Sequence, residues 1–510
     1  MKPLSISLVA ALALAAAFAG GSHFKTTPWR TAHFENVLGT SMEMKVHASS
    51  EETADRAETA AMTEIKRLNS ILSGYDPSSE FSRWASTRGI AVPVSPDLMH
   101  SLRLWDDWRV RSGGALNPAA EAITRVWTQA ESTGKLPSEP DMTAAARAAS
   151  ERQWALEGNS GSAMRLTDTP IRLNSFTKSY IIESAAATAL RTSGVSGVVV
   201  NIGGDLVVRG DGSEQVNVAD PRSDTENSDP IAVLDVKDRA VATSGDYRRG
   251  FDIGGRHFSH IVDPRTGRTA DAIISATVVA PQAVDAGALA TAFCVLTPEE
   301  SRKLAATVPG VEYLLIAKDG AQITTSGWNA LRSPVLMAAA SAPQTRQAAP
   351  SANASLWNPD YELTIDLEVP QTRGFGARRP YVAAWIEDKD RYPVRTLAVW
   401  FEKTRWLNEL HAWYRDDRLR AMSEGHEILN SVTSATRSPG KYSLKWDGKD
   451  NSGKLVKAGH YTVLVEAARE HGGYTLDKRD MDFNGAPSRT QAPADAELGP
   501  VTFDYHKVAR

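Results

Sequence analysis

The chain has 510 residues, 42% of them hydrophobic and 23% charged, with a formal net charge of -4 at pH 7. At roughly 150 residues per domain this is too long for one core and calls for two or three domains. The weakly acidic balance, with no basic stripe interleaved with aromatics, speaks against nucleic-acid binding.

The opening stretch MKPLSISLVAALALAAAFAGG carries one lysine, an apolar run from about Leu4 to Ala16, and small residues at Ala17 and Ala19. It predicts a signal peptide over residues 1–19, because the run is shorter than the ~20 apolar residues of a membrane span. The only cysteine, Cys294, leaves no lipid-anchor cysteine behind the signal and no intramolecular disulfide. The expectation is a periplasmic protein, soluble after signal removal and without a transmembrane segment.

His33 to His47 reads as a strand, a Gly39-Thr40 turn and a second strand. In Glu51 to Leu72 the residues Ala57, Ala60, Ala61, Ile65, Leu68 and Leu72 recur at helical spacing, and Ser73-Gly74 closes the helix. Tyr75-Asp76-Pro77 opens a loop, and Ser79-Glu80 caps a helix over Phe81 to Trp84. Leu98 to Arg111 is a second amphipathic helix, followed by Gly113 to Pro118 and a short helix containing Trp127. Ser132 to Asn159 is polar and alanine-rich, a helix with loops that offers no chemistry.

Arg172 to Leu190 joins a strand end to a helix through Asn174-Ser175, with Lys178 and Glu183 near its first turns. Val195 to Val208 is a buried strand broken at Gly203-Gly204, where missing side chains would let a ligand touch backbone. Val216 to Pro221 and Ile231 to Val241 add strands. The stretch from Ala242 to Cys294 concentrates the chemistry. It holds a Thr243-Ser244-Gly245 turn, a histidine in the apolar strand His260-Ile261-Val262, an Asp263-Pro264 turn, a β-branched run from Ile273 to Val279, and an alanine-rich helix from near Ala283 carrying Asp285 and Thr291. Such a set can place backbone N–H groups, an imidazole and helical oxygens around one cavity, as a phosphate-bearing ligand with a metal requires. Strands interleaved with helices predict a layered α+β or α/β domain over residues 27–333.

Residues 334–354 are Ala/Ser/Pro-rich, as in a linker. Beyond them Tyr361 to Val369, Tyr381 to Ile386 and Arg395 to Trp400 alternate apolar and polar residues, and Trp406 to Trp413 suggests a short helix or decorated turn. Tyr442 to Trp446, the Asp447-Gly448 turn and Tyr461 to Ala467 read as a β-hairpin. Residues 355–508 are expected to form an all-β, immunoglobulin-like sandwich. Asp447 and Asp450 read as turn residues rather than a Ca²⁺ site, and His411 between Trp406 and Trp413 as packing rather than a cofactor box.

With these residues laid out, the first domain resembles the FAD:protein FMN transferase family, the ApbE-type flavin transferases. The motifs that carry the likeness are Gly39-Thr40, Ser79-Glu80-Phe81-Ser82-Arg83, Ala115-Leu116-Asn117-Pro118, Leu173-Asn174-Ser175-Phe176-Thr177-Lys178, Asn201-Ile202-Gly203-Gly204-Asp205, Thr243-Ser244-Gly245, His260-Ile261-Val262-Asp263-Pro264 and Ala288-Leu289-Ala290-Thr291-Ala292. The resemblance implies an α+β transferase that takes FAD, releases AMP and joins FMN to a threonine or serine of an exported acceptor protein. It implies FAD contacts at Met42, Tyr75, Ala115, Leu116, Asn117, Arg172, Lys178, Gly203, Gly204, Ser244, Gly245 and Ile261. It also implies Mg²⁺ on the Ser175 carbonyl, Asp285 and Thr291, with His260 as the base for the acceptor hydroxyl and Asp285 as its catalytic companion.

The sequence departs from that pattern in places. The family's aspartate four residues before the threonine falls on Gly287, whereas Asp285 stands six before Thr291. Residues four apart share a helical face, while six apart point roughly 120° away from each other, so the two reach one ion only if the helix begins between them. Arg172 replaces the carboxylate that usually opens the lysine motif, and Ser179 the usual glycine after the lysine. An FAD-binding module with a decayed metal site, or an FAD pyrophosphatase, are the alternatives. The second domain resembles an uncharacterised family of exported β-domains fused to such transferases, through Trp446 to Asp450 and Gly459-His460-Tyr461. Within it Ser431 to Thr436 is similar to the acceptor motif, making Thr436 a candidate FMN acceptor; a Ser/Thr-rich turn before Pro439-Gly440 is the simpler reading.

Overall fold

The computed structural model describes residues 29–223, 227, 230–245, 250–333, 356–371, 379–401, 404–424, 433–434, 436–437, 439–469 and 472–508. The expected signal peptide and linker lie outside the described residues.

The first half is built on an eight-stranded antiparallel sheet. Its order is Arg30–Val37, Thr40–Ala48, Val195–Ile202, Asp205–Gly210, Ala240–Gly245, Ile273–Ala280, Glu312–Ala317 and Gln322–Thr324. The central strands are apolar on both sides, and side chains alternate across a strand. Val198, Val200 and Ile202 therefore join the core under the helices, while Val199 joins a second core on the opposite face. There it meets the hairpin formed by Glu214–Val218 and Ala232–Val236, together with Trp328. Each such fully buried side chain contributes roughly 1.5–3 kcal/mol.

Three helices cover the other face. Glu51–Leu72 starts on the Ser50 cap and buries Ala54, Ala57, Ala61, Ile65, Leu68 and Leu72, the stripe its spacing predicts. Asn174–Leu190 packs against it and against Ala283–Val295, and their small buried residues let the latter two lie close. The polar stretch after Ser132 resolves into the end of Ala120–Thr133, a helix over Glu139–Ser150 and a short strand, Trp154–Glu157.

The buried strand expected from Val195 to Val208 is two strands of a hairpin. Gly203 and Gly204 form its turn with φ of 57° and 90°, the left-handed pair a tight two-residue hairpin requires. The domain is thus α+β, with neighbouring strands antiparallel throughout the main sheet.

Residues 356–508 form two packed sheets. One has the order Gly440–Trp446, Tyr361–Val369, Val501–Lys507, Ser488–Ala492; the other runs Thr433–Ser434, Pro393–Trp400, Tyr381–Glu387, Gly459–Ala468, Tyr474–Phe483. Leu363, Ile365, Trp446 and Phe503 meet Val382, Ile386, Val463 and Phe483 between them. One expectation is corrected here. Gly440–Trp446 and Gly459–Ala468 are not a hairpin, because Trp446 and Tyr461 enter the core from opposite sheets and residues 447–458 cross between them. The unit is sheet-rich, as expected, and a helix, His411–Glu424, seats Trp413 on the outer face of the five-stranded sheet with Tyr381, Trp385 and Leu464. The Glu466 carboxylate, fully buried in that sheet, accepts the Ala412 and Trp413 amides at 2.9 and 2.8 Å and so anchors the helix start.

Candidate functional site

Loops at the open side of the helix layer surround a cavity of about 1680 Å³. Drug-sized ligands need only about 300–1,000 Å³, so the space suits a ligand as long as a dinucleotide. One wall is the start of the helix Asn174–Leu190. Its N-cap position is Leu173, which has no side-chain hydrogen bond to give, so the first amides lack a side-chain acceptor. Leu173, Asn174 and Ser175 border the cavity, and the positive end of the helix dipole there favours a phosphate.

Facing it is the end of the strand Ala240–Gly245, where Thr243, Ser244 and Gly245 line the space. The Ser244 carbonyl accepts from the Cys294 thiol at 3.5 Å, and the Thr243 hydroxyl lies 3.0 Å from that of Thr277.

Lys178 and Asp205 meet inside, Nζ to Oδ2 at 2.9 Å. Asp205 is 7% exposed; burial pushes its carboxyl above the usual range, opposed by Lys178 and by the Thr243 backbone N–H. At the mouth Tyr75 is 73% exposed, with the Arg172 guanidinium 4.6 Å from its ring centre and Asn174 Nδ2 donating to its hydroxyl at 2.8 Å. Arg172 Nε also donates to Glu121 at 2.9 Å. An exposed ring held flat by a guanidinium is a platform on which another planar group can stack.

His260 lines the cavity from a bend after the strand Arg256–Ser259, rather than from within an apolar strand. The bend is held locally. Ile261 N donates to Ser259 Oγ at 3.0 Å, Ala270 N to the Ile261 carbonyl at 2.8 Å, and Val262 bridges Thr269.

Of the expected site residues, Tyr75, Ala115, Leu116, Asn117, Arg172, Ser175, Lys178, Gly203, Ser244, Gly245, His260, Ile261 and Thr291 come together around the cavity. Met42, Gly204 and Asp285 do not. Met42 is fully buried in the core, paired with Ile202 in the sheet. The Gly204 amide turns back to Asn201 Oδ1 at 3.1 Å. Gly203 is needed less for a ligand than for Thr40, whose Cγ2 would sit 2.7 Å from a Cβ at 203. Asn117 lines the cavity but spends its amide on the protein, donating to the Ala149 carbonyl and accepting from Ala119 N.

The divalent cation fares worse. The helix begins at Ala283, so Asp285 and Thr291 lie on one continuous helix and diverge, and of the two only Thr291 lines the cavity. Burial raises the Asp285 carboxyl and Arg111 opposes it. Among the described residues no group of three or more His, Cys, Asp or Glu could hold a metal ion. With Asp285 outside the lining, the expected set keeps a carbonyl and a hydroxyl and lacks its carboxylate, so it does not fit Mg²⁺, which is held through one or two carboxylates.

Thr40, Glu121, Thr177 and Asp205 line the cavity without having been assigned a role. Asp205 carried a signal, since a carboxylate opening the apolar run Leu206-Val207-Val208 demands a partner.

An antiparallel sheet layered with helices opens into a cavity of dinucleotide size, lined by a histidine, a lysine and an uncapped helix end. The chain belongs to the ApbE family, whose model matches residues 38–315. Residues 362–500 match a second family, described as "Predicted periplasmic protein (DUF2271)". The chain is 29% identical over 320 residues to the FAD:protein FMN transferase of Rhodobacter capsulatus, covering 62% of this chain and 61% of that protein's length. It is 25% identical over 343 residues to the enzyme of the same name from Escherichia coli (strain K12), covering 63% and 95% respectively. Among solved structures it is similar to the ApbE protein of Thermotoga maritima, at 25% identity, TM-score 0.53, and coverage of 60% of this chain and 100% of that one. The flavin transferase ApbE from Vibrio cholerae shares the fold at 21% identity and a TM-score of 0.50, covering 60% of this chain and 100% of that one. No helix among the described residues is long and apolar enough to cross a membrane.

Proposed function

We propose that the chain moves FMN from FAD to a threonine or serine hydroxyl of an exported acceptor protein, releasing AMP. The observation that carries this reading is the convergence of His260, Lys178 and the uncapped start of Asn174–Leu190 on one cavity of dinucleotide size. The acceptor oxygen bonds to the FMN phosphorus as the phosphoanhydride P–O bond breaks, and AMP leaves with the bridging oxygen. The acceptor proton passes to the His260 imidazole, while Lys178 and the helix amides meet the charge on the diphosphate. No step is routed through Mg²⁺, because Asp285 is turned from the cavity.

Thr436 is a poor acceptor in this conformation, being 4% exposed. We take the acceptor hydroxyl to lie on another chain. The expected leader over residues 1–19 and the description of the second family support a periplasmic location.

Incubation of the purified chain with FAD and a Thr-containing acceptor peptide tests the reading: AMP and flavinylated peptide are expected in equal amounts. The altered helix of Asp285 also favours a second reading, a module that only binds FAD, and FAD uptake without AMP would select it. AMP release independent of peptide would select an FAD pyrophosphatase.

A further inference from the structure

Two departures from the flavin-transferase pattern, far apart in sequence, meet in space. Gly287 borders the cavity from the helix Ala283–Val295. A Cβ placed there would lie 2.2 Å from Ser179 Oγ, 3.1 Å from Ser179 Cβ and 3.4 Å from Phe176 Cα. Ser179 is 2% exposed, and its hydroxyl has no hydrogen-bond partner among the described residues. In this packing, a serine at 179 and any side chain at 287 exclude each other. The hydroxyl takes the space from which a residue-287 carboxylate would stand one helical turn before Thr291, on the same face.

The other carboxylates on the cavity wall are already engaged. Glu121 holds Arg125 and Arg172, Asp205 holds Lys178, and Asp76 Oδ1 accepts the Ser78 amide and hydroxyl. Of the expected ion ligands only neutral ones remain on the cavity wall, the Thr291 hydroxyl and the Ser175 carbonyl. Lys178, by contrast, is a point charge with three donors, and an incoming diphosphate can compete with Asp205 for it.

Resting on the FMN-transfer reading, we infer that the Ser179–Gly287 exchange has closed the divalent-cation site, and that this chain grips the FAD diphosphate through Lys178 without a divalent ion. The exchange is reciprocal, a side chain gained on one helix where one is lost on its neighbour. Restoring the cation site therefore takes both changes together.

The test uses the full chain. FAD is titrated by quenching of isoalloxazine fluorescence in EDTA and again in excess Mg²⁺. The two affinities are expected to agree within about twofold, whereas weakening in EDTA by roughly tenfold or more overturns the inference. A second arm uses Mn²⁺ alone, without flavin, followed by electron paramagnetic resonance. The natural chain is expected to leave Mn²⁺ free, and the double variant Ser179→Gly/Gly287→Asp to bind it. Mn²⁺ bound by the natural chain and released by Thr291→Val overturns the inference as well. A third readout guards against misfolding: Gly287→Asp alone lowers the melting temperature and adding Ser179→Gly restores it, whereas simply additive losses refute the contact. If the natural chain takes up no FAD in either buffer, the flavin reading falls, and the Mn²⁺ arm still decides the cation site.

Discussion

Lys178 Nζ stands 2.9 Å from Asp205 Oδ2, tying the early part of the helix Asn174–Leu190 to the strand that leaves the Gly203-Gly204 turn. Both residues of the pair line the cavity, so in the proposed function it serves fold and ligand together. Lys178→Ala leaves a buried carboxylate without its counter-charge. The expected cost is about 1–3 kcal/mol, discounted because the lysine side chain is 29% exposed. Urea denaturation reads the stability, and flavin fluorescence reads an expected loss of FAD affinity of roughly tenfold or more. A stability loss with unchanged affinity would reduce Lys178 to a structural role.

In the proposed transfer His260 takes the acceptor proton, and its bend is held by the Ile261 and Ala270 amides, in bonds that do not involve its ring. His260→Ala is expected to slow AMP release by about 10²–10⁴-fold while FAD affinity holds. A parallel loss of binding would make it a ligand contact instead of a base.

Asp285 gives the opposite expectation. Because it is not part of the cavity wall, Asp285→Asn should change the proposed FMN transfer by no more than about twofold. A loss of a hundredfold would show that the helix turns in the working enzyme and brings this carboxylate to the ligand.

The two turn glycines separate strain from crowding. Both have positive φ, but only Gly203 would also press a Cβ on Thr40; at Gly204 nothing lies within 4 Å. Gly204→Ala is expected to cost about 1 kcal/mol and Gly203→Ala about 2 kcal/mol or more. Thr40→Ala should recover part of the second loss and none of the first, as denaturation midpoints would register.

His33 supplies a pH signature. It is 1% exposed with its ring edge-on to Phe401, and burial, then Lys45 and Arg437, lower its pKa from 6.5 to about 3. Glu43 lies 3.6 Å away without rescuing the charge, since burial lifts its own carboxyl too. The folded state thus resists protonating His33, and the stability this confers is complete above pH 6.5. It is lost as the pH falls toward 3, at up to about 1.4 kcal/mol per unit. Stability measured against pH for the natural chain and for His33→Leu should differ by that slope. Parallel curves would mean the ring is solvated.

Much of the architecture was legible in local windows. The helical stripe of Glu51–Leu72 could be read directly, as could the apolar runs of the central strands, because periodicity belongs to contiguous residues, whereas the glycine pair at 203 and 204 read as a break in one strand and is a hairpin turn. The motif residues around the cavity were legible in the same way, through their order along the chain.

Other features were set by packing between distant segments. Nothing between Tyr442 and Ala467 says that its two strands enter opposite sheets, since either pairing satisfies the same alternation; the choice falls to which face each tryptophan and tyrosine can bury. The Lys178–Asp205 pair, the meeting of Ser179 with Gly287 and the turning of Asp285 from the cavity depend on how one helix is rotated and seated against another. A nearly uniformly apolar helix such as Ala283–Val295 carries little amphipathic signal of its own rotation. The sequence by itself therefore determined which elements form and which chemistries gather at the cavity. The tertiary structure decided which side chains face the ligand, because helix rotation and sheet partnership minimise the buried void of the whole core rather than of any one segment.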